Sequence, residues 1–320
     1  HSTSRRQRQM CIRDRIIPQR FEMVDLQYYI LFWVCILGLC FGSFFNVVIL
    51  RTLSNESIVF PPSKCPKCNN KLLWWHNIPV LAYILLRGKC YFCKEKISIQ
   101  YPVVELITMI LFGLTFLKFG LSIIALFVIF WISCLIIMTG TDIKEKLVDC
   151  NLAIAMGISG IIFNFLVYGK TGVLDSIIGL LIGVIILELI ARSGYLFAGT
   201  RAMGEADTYV AGALGAIFGK NIQFVLFSAL IASMFFILPV FFYNQYKNNN
   251  KKTCILGVLF TLSILIFETA VQNYYTFAVM AVLGLWLAFS ILKGIKKTEN
   301  RMYLPYVPAL AAGALYFLFF

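Results

Sequence analysis

The chain has 320 residues, 60% hydrophobic and only 13% charged, with a formal net charge of +13 and a mean hydropathy of +0.83. So few charges exclude a soluble globular domain and place the chain among integral membrane proteins. The basic excess would suggest nucleic acid in a soluble protein, but without a recognisable nucleic-acid module it reads as loop charge on one side of a membrane.

Residues 1–22 hold six arginines and no apolar core. They fit neither a signal nor a transit peptide and read as an atypical basic leader, non-native or disordered, with Met23 the natural start. Apolar runs long enough to cross a bilayer then recur along the chain. They are Val24 to Leu50, Tyr101 to Leu117, Leu121 to Gly140, Asn151 to Tyr168, Val173 to Ala191, Asp207 to Phe218, Ile222 to Tyr243, Cys254 to Phe267, Tyr274 to Leu292 and Leu304 to Phe320. Continuous Leu, Ile, Val and Phe runs predict helices, since a barrel would alternate polar and apolar residues. The expected fold is therefore an all-α polytopic membrane protein of about ten transmembrane helices.

Lys and Arg test that count. With the 51–100 loop placed in the cytoplasm, alternation puts nineteen basic residues inside and only Lys118, Lys170 and Lys220 outside, apart from the leader. That asymmetry supports ten spans with both termini outside.

The 51–100 loop is the longest polar segment and carries two C-x-x-C pairs, Cys65/Cys68 and Cys90/Cys93. The spacing is that of a tetrahedral zinc site built from two knuckles, and a cytoplasmic location disfavours disulfides. A redox dithiol, a stapled loop or four buried thiols are the alternatives. Four protein ligands leave no open position, so the metal is read as structural. His76 has no placed partner and reads as interfacial or structural. Trp74 and Trp75 suit headgroup depth, with an amphipathic segment from Ile78 to Leu86 beside them.

Acidic residues near spans are functional candidates because ionisable groups there are costly. Asp142, Glu145, Asp149, Glu205 and Asp207 fall at the cytoplasmic ends of spans, whereas Glu188 and Glu268 could be buried and paired. Asp142 opens DIKEKLVD, and Asp207 closes MGEAD ahead of the small-residue run AGALGAIFG. Two carboxylates brought together there would share a proton, one acting as base toward water and the other as acid.

Those residues resemble the type IV leader peptidase family, the G-x-G-D membrane aspartyl proteases that process prepilins. GSFFNVVILR (42–51), CPKC, WWHNIPVLAYILLRGKCYFC and ISIQYPVVE (97–105) follow the family's N-terminal signature and cytoplasmic domain in order. TDIKEKLVD resembles its D-x6-D segment, with Val148 where a Pro is usual. Gly204 to Asp207 resembles G-x-G-D, with Ala206 at the third position and Tyr209 where a Lys is often found. The resemblance implies Asp142 and Asp207 as the catalytic pair and prepilin or pseudopilin leaders as substrates at the cytoplasmic face of a bacterial inner membrane. It also implies N-methylation from S-adenosylmethionine, for which no residue is assigned. The domain reading is then a leader (1–22), a first helix (23–50), a four-Cys cytoplasmic domain (51–100) and a transmembrane peptidase domain (101–320), with an inserted helix hairpin at 254–292. The four-Cys loop is expected to receive the basic leader or the methyl donor. A transporter coupled through Glu188 and Glu268 and an inactive scaffold are the competing readings. Membrane lipid is an expected partner and nucleic acid is not; the sequence leaves the oligomeric state open.

Overall fold

The computed structural model describes residues 2–54, 56–60, 62–198, 201, 203–247 and 306–320, with isolated positions between 255 and 286. Helices dominate, in the order α1 (Ser2–Ser54), α2 (Leu81–Leu85), α3 (Gln100–Phe119), α4 (Ile123–Glu145), α5 (Cys150–Ala198), α6 (Glu205–Phe218), α7 (Ile222–Lys247) and α8 (Val307–Phe319). Five stretches among the described residues are long and apolar enough to cross a membrane: Leu26–Ser54, Gln100–Phe119, Ile123–Glu145, Cys150–Ser193 and Glu205–Ser233. Of the residues read above as a leader, 2–22 fall in the N-terminal part of α1, where no side chain is described. The expected hairpin at 254–292 lies outside the described residues apart from isolated positions.

The chain divides into two units, residues 1–140 and 141–318. In the first, α1 packs on α3 through a small-residue stripe. A Cβ at Gly42 would stand 2.6 Å from the Glu105 Cα, and one at Gly38 would stand 2.8 Å from the Met109 Cα. Only glycine lets the two backbones approach this closely, which is how helices associate where lipid removes the hydrophobic incentive. One turn along α1, the buried Asn46 amide donates to the Tyr101 carbonyl at 3.1 Å and to Gly42 within its own helix.

The second unit is built around α5, a helix of 49 residues. Run straight, it would make a rod of about 74 Å, far more than a bilayer requires. Instead it reverses at Gly169 (φ 64°, ψ −144°). Only glycine adopts that conformation readily. The reversal is fixed by a hydrogen bond in which the Asn164 amide donates to the Ser176 hydroxyl at 2.7 Å. Twelve residues of unbroken helix would separate the two by about 18 Å. The expected spans Asn151 to Tyr168 and Val173 to Ala191 are therefore the two legs of this hairpin.

Helix α6 packs against both legs. On one leg a Cβ at Gly160 would meet Ile217 at 2.7 Å; on the other, Cβ atoms at Gly179 and Gly183 would meet the carbonyls of Gly215 and Ala211 at 2.3 and 2.5 Å. Asn164 also donates to the carbonyls of Ala216 and Ile217, each at 3.0 Å, tying the end of α6 to the hairpin. The small residues of α6 thus set how deeply it seats, and that seating positions its first turn. A Cβ at Gly215 would lie 2.1 Å from the Gly179 carbonyl oxygen. Gly215→Val should accordingly cost about 3 kcal/mol through overpacking, read as a lowered midpoint of thermal unfolding in detergent. An unchanged midpoint would refute the packing.

Candidate functional site

Each of the two carboxylates singled out by the sequence accepts a backbone N–H at the N-terminus of a helix in the second unit. Asp207 is the third residue of α6 and is 7% exposed; its Oδ2 accepts the N–H of Gly204, the residue capping that helix, at 3.1 Å. This is half of a capping box, in which a side chain in the first turn reaches back to the cap backbone. Gly204, with no side chain, brings its N–H to the carboxylate at φ −63° and ψ 153°.

Asp142 closes α4 and is 5% exposed. Its Oδ2 accepts the N–H of Val307, the first residue of α8, at 3.0 Å across 165 residues of sequence. Pro308 follows Val307 in the first turn of α8. There proline's missing N–H costs nothing and its fixed φ starts a helix. First-turn N–H groups and the helix dipole favour negative charge, and both carboxylates exploit this. Asp142 and Asp207 lie within electrostatic range of one another, and the Tyr306 phenol lies within range of Asp207. One buried site thus holds two carboxylates, each anchored by one backbone donor among the described residues.

The segment before Asp207 is held by Arg201. Its guanidinium pairs with Glu188 of α5 and with Glu205 at 3.5 Å, and it donates to the Met203 carbonyl at 3.1 Å and the Thr208 hydroxyl at 3.3 Å. The Arg201 side chain is only 20% exposed, so these bonds form in a partly desolvated setting. A planar, multidentate donor suits that geometry better than lysine. Glu188 also pairs with Arg192 at 2.8 Å. From the sequence Glu188 could be buried and paired, serving as a coupling charge only in the competing transporter reading, and Arg201 counts toward topology alone; the structure joins the two. The available signal was the position of Arg201, three residues before Gly204. Arg201→Gln should loosen the loop and slow any chemistry at Asp207 about tenfold, with Arg201→Lys recovering part of the rate. Equal rates in all three proteins would remove Arg201 from the account.

In the first unit, Cys65, Cys68, Cys90 and Cys93 come together with all four sulfurs within 4.8 Å of one another. Two equivalent knuckles bring them there. The Asn69 N–H returns to the Cys65 carbonyl at 2.9 Å, and the Lys94 N–H returns to the Cys90 carbonyl at 3.1 Å. Asn69 and Lys94 both take positive φ, 56° and 60°, and isolated bridges Lys64–Lys71 and Lys89–Lys96 close each turn. The sequence marks this duplication beyond the cysteine pairs alone, because the flanking lysines repeat with them as K-C-x-x-C-x-x-K at 64–71 and 89–96. A tetrahedral ion with metal–sulfur bonds of about 2.3 Å places its ligand sulfurs about 3.8 Å apart. The 3.9 Å separation of Cys65 and Cys93 fits that edge. Backbone N–H donation from Cys93 draws the Cys90 thiol down to about 7 against the opposing effect of burial, whereas burial and the neighbouring cysteine side chains push the Cys93 thiol up to about 11, so the cluster holds its negative charge on Cys90 first.

His76 belongs to the first unit and the two aspartates to the second. Its Nδ1 accepts the Leu73 N–H at 3.2 Å, and its ring packs among Trp75, Tyr91 and Phe92. Burial holds its imidazole below the usual histidine range. It is therefore neutral at pH 7. Glu105, the last residue of ISIQYPVVE, is buried in α3 and accepts the Val80 N–H at 2.7 Å. Glu268 lies outside the described residues.

Comparison with known proteins gives a consistent result. Residues 36–119 match the Bacterial Peptidase A24 N-terminal domain, and residues 129–242 match the Type IV leader peptidase family. The four cysteines fall in the first match and both aspartates in the second. A prepilin leader peptidase/N-methyltransferase of Neisseria gonorrhoeae is 35% identical over 208 residues, 58% of this chain and 72% of that protein. Proteins of the same name from Klebsiella pneumoniae and Myxococcus xanthus are 32% and 33% identical. The former match covers 57% of this chain and 82% of the relative. The latter covers 57% and 54%, so the chain spans about half the length of the Myxococcus protein. No solved structure matches the chain.

Proposed function

This chain belongs to the type IV leader peptidase family, and on that premise we propose that it is a membrane aspartyl endopeptidase with Asp142 and Asp207 as its catalytic dyad. The single observation that carries the assignment is the pair of buried carboxylates, each bonded to a backbone N–H at a helix N-terminus and within electrostatic range of the other. The substrate is a prepilin or pseudopilin, cut to release its short basic leader.

Two close carboxylates resist simultaneous ionisation and hold one proton between them. The ionised member removes a proton from water as the water oxygen bonds to the scissile carbonyl carbon. The protonated member delivers its proton to the carbonyl oxygen, giving a tetrahedral diol. Collapse of the diol restores the carbonyl, breaks the C–N bond and passes a proton to the departing nitrogen. Backbone donors at Gly204 and Val307 keep each carboxylate oriented through the cycle.

Zinc is the metal suited to four thiolates at this spacing. Cys65, Cys68, Cys90 and Cys93 would hold it as a closed structural site. The family name of the relatives supports N-methylation of the new N-terminus, with S-adenosylmethionine supplying the methyl group. Ten transmembrane helices, including a hairpin at 254–292, place the four-Cys domain and both aspartates on the cytoplasmic side of a bacterial inner membrane. The Lys and Arg asymmetry of the chain supports that orientation. The transporter reading finds no support in Glu188, which is committed to Arg192 and Arg201. It is not a lone intramembrane charge of the kind that couples transport.

The reading is tested by incubating the detergent-solubilised protein with a prepilin-like peptide and following the product by mass spectrometry. A single cut that removes the basic leader is expected. An intact peptide after prolonged incubation with folded protein would favour the inactive scaffold.

A further inference from the structure

The four-Cys domain leaves large apolar side chains uncovered. Trp74 is 81% exposed, Leu85 71%, Ile84 62% and Leu81 57%, whereas Ala82 on the other side of the α2 turn is buried. The short turn at Trp74–Asn77 packs beside α2, so these side chains belong to one neighbourhood of the loop.

The depth of that neighbourhood is set by Glu105. Its carboxylate, buried in α3, accepts the Val80 N–H at 2.7 Å, and Val80 immediately precedes α2. Glu105 lies in the second turn of α3, a helix long and apolar enough to cross a membrane. At the rise of an α-helix that is about 7.5 Å from its start. Val80 is held at φ 60°. That backbone is strained for a β-branched residue, and the chain adopts it here to meet the carboxylate. The clip therefore draws α2 alongside the first turns of a helix long and apolar enough to span a membrane, the position an interfacial segment takes.

Charge supplies the second observation. Lys64, Lys67, Lys71, Arg87, Lys89, Lys94 and Lys96 are all exposed, and among the described residues none of them forms an ion pair. Residues 51–100 offer only Glu56 and Glu95 against them. A basic leader peptide would meet like charge on this surface, and a second copy of the domain would repel it likewise. Phospholipid phosphates would meet opposite charge at the depth where exposed tryptophan and leucine are most stable.

We propose that the four-Cys domain docks on the anionic headgroup layer of the membrane it is attached to. Trp74, Leu81, Ile84 and Leu85 enter the interface and the exposed lysines and Arg87 bind lipid phosphates. The loop is then a lipid-recognition surface as well as a metal-stapled fold, and the lipid class favoured is anionic rather than zwitterionic. The proposal stands apart from the peptidase assignment, because it needs neither aspartate.

The test uses full-length protein in nanodiscs of phosphatidylcholine alone or with phosphatidylglycerol. In mixed nanodiscs carrying lipids brominated near the headgroup, the tryptophan fluorescence lost in Trp74→Phe should be quenched by the bromines and shielded from aqueous acrylamide. Trypsin cleavage within residues 64–96 should be about tenfold slower with phosphatidylglycerol than without it. Glu substitution of exposed Lys67, Lys71 and Lys96 should abolish that difference while circular dichroism stays unchanged. Quenching by acrylamide and not by bromine would overturn the proposal, as would shielding from both quenchers, the signature of a protein partner. Equal trypsin rates in the two lipids would overturn it on charge.

Discussion

Asp207→Asn and Asp142→Asn should each lower the rate of leader cleavage by about 10⁴-fold or more while leaving the protein folded and inserted. The amide oxygen of Asn can still accept a backbone N–H. The anchors to Gly204 and Val307 therefore survive each substitution. What is lost is the ability of that position to take a proton from water or to deliver one. Because each carboxylate accepts only one described backbone bond, the chemistry rather than the scaffold should carry the loss. Peptide cleavage rates measured by mass spectrometry, beside elution volume on size exclusion as the control for folding, separate the two. A variant that elutes normally and cleaves at more than a few per cent of the wild-type rate would clear that residue of a catalytic role.

The second large effect concerns the four thiols. Protein purified under reducing conditions should carry about one equivalent of zinc, and Cys65→Ser or Cys90→Ser should abolish it. Both cysteines are buried at the head of a knuckle, 7% and 5% exposed, and their carbonyls each accept a knuckle N–H. Metal binding to such a site is worth on the order of 10 kcal/mol, most of it spent on folding the loop. The loop should therefore become rapidly digestible by trypsin once the metal is lost. Brief chelation should leave peptide cleavage nearly unchanged, since water activation is assigned to the carboxylates. Immediate loss of cleavage on chelation would move the metal into the chemistry.

Much of the fold was legible because the apolar runs are long and their breaks are glycines and polar clusters. The legs of α5, the starts of α3 and α6 and the end of α4 all fall within a few residues of the expected spans. The four cysteines were equally legible, since a ligand set of two C-x-x-C pairs needs no tertiary information beyond their spacing. The anchors of the two aspartates were not. Val307 meets Asp142 from 165 residues away through a backbone N–H, a group every residue except proline carries and no motif marks. The expected span begins at Leu304, three residues before the helix start at Val307, and nothing in it marks what that start would face. Arg201 was hidden for a different reason: its value lies in being shared between Glu188, Glu205, Met203 and Thr208, a constellation that exists only once the segment between α5 and α6 folds back beside the end of α5. Gly204 to Asp207 illustrates a third case. Ala206 departs from the family's second glycine, yet the bond that orients Asp207 uses Gly204, which is retained.

The central claim is that Asp142 and Asp207 act as one unit, and a four-protein comparison tests it most directly. Single-turnover cleavage of a prepilin-like peptide would be measured for the wild type, Asp142→Asn, Asp207→Asn and the double variant in the same lipid. Members of a single proton-sharing pair are strongly non-additive, so the double variant should be no slower than either single one, all three lying at the uncatalysed background. Partial, independent losses that multiply in the double variant would contradict the dyad, as would full activity in either single variant.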